Sequence, residues 1–161
     1  MSVATYTLGL VLGASLHSAF TFAPERELAR LGVGEILVNN LRALAVVLAG
    51  MVTLGILTFF GLLYNGAVTG YVISAARDRG LSWIDIARAT VPHGIFEVPA
   101  LLLAGVVGFS ALSRLWEMLT GRMVMANYWW IVLCMGMASV GLVVIAAFVE
   151  AFLTPLFFVK G

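Results

Sequence analysis

From Ala43 to Ala76 the chain runs for 34 residues without one charged side chain. No other feature restricts the fold as much, because a stretch of this kind belongs in surroundings without water. One helix over the whole of it would be about 51 Å long at ~1.5 Å per residue, too long for a hydrocarbon core of about 30 Å. The run therefore has to break, and Asn65-Gly66 offers the place. That predicts a second transmembrane span over Ala43 to Leu63, with Tyr64 as its interfacial aromatic. Gly66 to Ala76 then reads as a short half-helix or an extension into the interface.

Other parts of the chain repeat the pattern. Apolar residues make up 62% and mean hydropathy is +1.08, against roughly 45–50% apolar content in soluble domains. This is the composition of an integral membrane protein, and 161 residues leave room for four or five spans in one integral membrane domain covering 1–161. Nine basic and eight acidic residues give a net charge of +1, with no basic patch for nucleic acid. The single cysteine, Cys134, rules out a disulfide or a Cys-based metal cluster within the chain and reads as a small buried hydrophobe.

Thr5 to Phe22 reads as the first helix, carrying Gly9 and Gly13 at GxxxG spacing. A signal peptide is the competing reading, but no Lys or Arg precedes Arg26. Pro24 ends the helix, and Glu25 to Asn40, patterned on Leu28, Leu31, Ile36 and Leu37, predicts an interfacial amphipathic helix and loop. Arg77 to Ala89 is a charged loop followed by an amphipathic helix with Ser82 as its N-cap. Val91 to Leu112 makes the next span, entered through Pro92 and kinked at Pro99. After a loop from Arg114 to Asn127, Tyr128-Trp129-Trp130 forms an aromatic belt and an apolar run continues to Val159, either tilted or broken near Thr154-Pro155. Three arginines between Arg77 and Arg88 place that loop in the cytoplasm. The expected fold is all-α, a polytopic transmembrane bundle with interfacial amphipathic helices.

Against this background two acids stand out, Glu97 and Glu150, each inside an apolar run. An ionisable group in a span is expensive and marks a partner or a site. His93 and Glu97 are four residues apart and so share a helix face, where they can exchange a proton or co-ligand a metal ion. If each long run crosses once, Asn65, His93, Glu97 and Glu150 meet in one membrane half. Asn39, Asn40 and Arg42 then lie on the opposite side as helix caps and a snorkelling arginine. Glu150 or Asn65 is the available third ligand for a metal at His93 and Glu97. The bland reading has the cluster paired within the bundle, holding the helices in one arrangement. No HExxH element and no Ser-His context is present, so the reading leans away from an enzyme and expects no cofactor. Gly66 and Gly70, like Gly9 and Gly13, predict close helix packing within the chain or between copies, which leaves a homo-oligomer open.

The same residues carry a family resemblance. Asn39-Asn40-x-Arg42 before a span, Asn65-Gly66 with Gly70, His93-Gly94-x-x-Glu97 followed by Pro99, and Ala146-Ala147 with Glu150 resemble the stage II sporulation protein M family over about Glu35 to Pro155. The most specific element is the HGxxE sequence with its proline. The resemblance implies a polytopic membrane protein of a prokaryotic plasma membrane. In spore-forming bacteria it implies one that partners two cell-wall hydrolytic proteins and anchors them during engulfment. The leading expectation is a scaffold or anchor for a membrane-associated complex, in contact with membrane lipids. The alternative is a small transporter or channel-like component using the His/Glu cluster as a proton or solute site.

Overall fold

The computed structural model describes residues 1–17, 32–121 and 127–152. Among them every regular element is helical: α1 (Ser2–Leu16), α2 (Val33–Leu48) with a 3-10 turn (Ala49–Met51), α3 (Ile56–Asp78), α4 (Trp83–Leu119) and α5 (Tyr128–Phe152). Four of these segments are long and apolar enough to cross a membrane: Val33–Met51, Ile56–Asp78, Trp83–Leu119 and Tyr128–Phe152. Helix α1 is shorter, about 22 Å at ~1.5 Å per residue. The expected break near Thr154-Pro155, the stretch from Pro24 to Leu31 and most of the loop after Gly121 lie outside the described residues.

The charge-free run does not break where expected. A span over Ala43 to Leu63 is replaced by a hairpin: α2 ends in the 3-10 turn, the chain reverses over 52–55, and α3 starts at Ile56. The reversal is built by backbone, since Leu54 has φ +51° and Gly55 φ +87°, a left-handed region that glycine enters without steric cost. Thr58 locks the corner by donating its hydroxyl to the Val47 carbonyl near the end of α2 at 2.7 Å. Gly50 and Gly108 make room for it, because a Cβ at either would overlap Thr58. Asn65-Gly66 lies inside uninterrupted α3, so no half-helix follows it.

Two further boundaries differ from the sequence reading. The Val33 to Asn40 part of the expected interfacial helix is the first half of transmembrane α2. Asn39 and Asn40 are accordingly interior residues and not caps; the cap position is Gly32, whose N–H donates to Glu35 Oε2 at 3.1 Å. The amphipathic helix starting at Trp83 and the span from Val91 are one continuous helix, with Pro92 and Pro99 inside it. Its N-cap is Ser82 as expected, the hydroxyl accepting from the Asp85 N–H at 3.2 Å.

The close packing expected of the glycine pairs occurs within the chain. Helices α1 and α3 run parallel, and their glycines face each other. A Cβ at Gly9 or Gly13 would collide with the backbone of Leu63 and Ala67, and one at Gly66 or Gly70 with that of Tyr6, Leu10 and Ala14. Small residues let helix backbones approach in lipid, where burial of apolar surface supplies no drive between helices. The pair is cross-linked by Tyr6 Oη and Thr69 Oγ1 at 3.1 Å and, at its end, by His17 Nε2 and Asp78 Oδ2 at 2.6 Å. The bundle centre joins Leu44, Val47, Leu62, Ala100, Ala104 and Val143, all essentially inaccessible. Cys134, by contrast, is exposed on α5 and not buried.

Candidate intramembrane cleft

A cavity of about 720 Å³ lies between α2 and α3, with α4 as its floor. The hairpin explains it: α2 and α3 are pinned together beside the turn by Thr58 and Val47 and diverge away from it. Helix α4 fills the base of the gap with Thr90, His93, Gly94 and Glu97. Helix α2 contributes Asn39, Asn40 and Arg42, α3 contributes Tyr64, Asn65 and Thr69, and α1 and α5 reach in with Tyr6 and Glu150. All four residues of the expected polar cluster therefore line one cleft. So do Asn39, Asn40 and Arg42, which the single-crossing topology had put on the opposite side. The extra reversal at 52–55 brings them there.

Part of this polar surface is used locally. Asn65 donates its amide to the Gly61 carbonyl at 2.7 Å, Thr69 donates its hydroxyl to the Asn65 carbonyl at 2.9 Å, and Thr90 donates to the Ile86 carbonyl at 2.8 Å. Tyr6 and Thr69 tie α1 to α3, whereas other polar atoms of the cleft find no partner. Asn40 Nδ2 and His93 Nδ1 are buried with no hydrogen-bond partner among the described residues, although Asn40 is only 7% exposed. Burying such a donor unpaired costs on the order of 1–3 kcal/mol. Glu97 lies within electrostatic reach of His93 and Glu150, and Tyr6 of Glu97. Gly94 faces open space, since a Cβ there would meet nothing within 4 Å. Pro99 is exposed on α4 and does not line the cleft. Gly66 and Gly70 face α1 instead.

The metal reading does not gain a ligand set. Among the described residues no three His, Cys, Asp or Glu side chains converge closely enough to hold an ion. Sequence reasoning also missed Tyr6, Tyr64, Thr69 and Thr90 as parts of the cleft. Thr69 follows Asn65 at i+4, the spacing that already linked His93 to Glu97, and would have been found by applying it to α3.

Comparison with known proteins agrees with the family resemblance. The profile of the family described as stage II sporulation protein M matches residues 2–155. An uncharacterized protein of Methanocaldococcus jannaschii is 34% identical over 128 residues, covering 74% of this chain and 69% of that protein. No solved structure matches the chain. With a family match across nearly its whole length and a helical membrane architecture, the chain belongs to the stage II sporulation protein M family.

Proposed function

We propose that this protein is a scaffold of the prokaryotic plasma membrane that anchors a membrane-associated protein complex. The observation that carries the reading is the reach of the α4–α5 pair. The Phe109 ring packs beside Gly55 at the α2–α3 turn, and α4 continues from there to Leu119. At ~1.5 Å per residue this adds about 15 Å of α4 beyond Phe109. The two helices of the arm are joined by the Arg114 guanidinium over the Tyr128 ring at 3.8 Å, and Glu117, one turn along α4, lies 3.6 Å from the same guanidinium. The arm displays Trp116, Trp129 and Trp130, each more than 60% exposed. Aromatic residues dominate the energetics of protein interfaces, and three exposed indoles on one helix pair suit attachment of a partner. Family membership supports the same reading.

Photo-crosslinkers placed at Leu119 and Trp129, with Val3 on α1 as the control position, test it in native membranes. Discrete adducts to another protein from the two arm positions and none from Val3 are expected. Lipid adducts alone, or adducts only between copies of this chain, would refute the scaffold.

A second reading, a small transporter or channel-like component, is favoured by the uncommitted polar groups of the cleft. It requires the Glu97 carboxyl, so Glu97→Gln abolishes flux in proteoliposomes if it holds, whereas partner crosslinks at the arm survive.

A further inference from the structure

We infer that the cleft is a headgroup site for a membrane phospholipid bearing a primary ammonium. The inference rests on the second reading, in which the cleft binds a guest, and names that guest. Three observations carry it.

The polar end of the cleft offers opposite chemistries at once. Arg42 has no ion-pair partner among the described residues, and Asn40, which lines the same cleft, is buried with its Nδ2 unpartnered. These are donors. Glu97 and Glu150 supply acceptors on the α4 and α5 side. A metal ion has no use for Arg42, and a simple anion is disfavoured by two carboxyl groups. A guest carrying both an anionic phosphate and an N–H-bearing cation matches both sets.

The other end is hydrocarbon. Toward the α2–α3 turn the walls are Val46, Leu57, Phe60 and Leu101, and Val46, Leu57 and Phe60 also face the outside of the bundle. Acyl chains can lie there in continuity with the surrounding lipid. Finally, Arg42 lies within a membrane-spanning helix: it is nine residues into α2, about 14 Å from its start at ~1.5 Å per residue. An unpaired arginine at such a position is costly, and a phosphate pairs with it.

The test uses purified full-length protein in lipid nanodiscs of phosphatidylethanolamine, phosphatidylcholine and phosphatidylglycerol in equal proportion, with bound lipid read by native mass spectrometry. Phosphatidylethanolamine adducts are expected to exceed phosphatidylcholine adducts about tenfold, the ratio one charge-assisted hydrogen bond supplies, because the quaternary ammonium cannot donate. Glu97→Gln or Glu150→Gln should bring that ratio toward one. Arg42→Gln should lower adducts of all three lipids together, since each carries the phosphate. The headgroup comparison on the wild-type protein needs no variant to fold. Equal retention of the three lipids overturns the inference while leaving the cleft as a binding site. Full displacement of the lipid by soluble phosphoethanolamine at equal concentration overturns it in favour of a free solute. No adducts of any lipid, unchanged by filling the cleft with Gly94→Leu, overturns both the inference and the cleft reading.

Discussion

Replacing glycine by alanine should have opposite effects at two helical positions of this bundle. At Gly66 the α1 and α3 backbones touch, and an added Cβ would collide with the Tyr6 carbonyl oxygen and lie 3.0 Å from the Leu10 nitrogen. Both obstacles are backbone, so no side chain can swing aside, and the helices must part by about 1 Å. A gap of 0.5–1 Å forfeits a quarter to a half of each dispersion contact, worth ~0.1–0.2 kcal/mol apiece. Over an interface with on the order of 40 such contacts, at a middle value of ~0.15 kcal/mol each, the loss is about 1.5–3 kcal/mol, in the usual range for overpacking. Gly136 is the counterpart on α5, where an added Cβ meets nothing within 4 Å. There alanine should stabilise by up to about 1 kcal/mol through its helix propensity and the smaller entropy of its unfolded chain.

Thermal unfolding in one detergent reads the difference. At roughly 2–4 °C per kcal/mol for a chain of this size, Gly66→Ala should lower Tm by about 3–12 °C and Gly136→Ala should raise it slightly. Gly66→Ala combined with Gly70→Ala should cost less than the sum of the two, because the first substitution has already parted the helices. A Gly66→Ala protein as stable as wild type would refute the parallel glycine contact between α1 and α3. A Gly136→Ala protein destabilised as much as Gly66→Ala would refute the reasoning from local space.

Two further outcomes can be checked with the same apparatus. Thr58→Val removes the buried hydrogen bond to the Val47 carbonyl and should cost about 1–2 kcal/mol, read as a fall in Tm, with Thr58→Ser staying close to wild type. Gly94→Leu projects into the open floor of the cleft, so it should leave Tm near the wild-type value and reduce lipid adducts in native mass spectra severalfold.

Much of the cleft was legible at the level of one helix. His93 and Glu97 were placed together by i,i+4 spacing alone, and Glu150 was marked by the cost of a carboxyl in an apolar run. Asn39, Asn40 and Arg42 were assigned to the wrong side for one reason: the corner at 50–55 is written Gly-Met-Val-Thr-Leu-Gly. It contains no charge, no proline and no asparagine, and its two glycines stand among the many others of the apolar runs, so nothing singles it out as a turn. In water such a corner would advertise itself with polar residues. A span reading based on charge and length passes straight over it and cuts the run at Asn65-Gly66, the first pair that looks like a turn. That pair serves close packing on α1 and local hydrogen bonding within α3.

The amino-acid sequence by itself determined that this chain is helical and lives in a membrane, because hydrocarbon admits no unpaired backbone and the runs are too long and too apolar for a soluble core. It also determined which polar residues are out of place there, since that depends only on each residue and its near neighbours. The tertiary structure decided where the charge-free run turns, that the two glycine pairs meet each other within one chain, and that seven scattered polar residues from four helices face a single cleft. These depend on positive backbone angles and on contacts between residues far apart in sequence, such as Thr58 with Gly108 and Tyr6 with Thr69, and neither has a local periodicity from which it could be read.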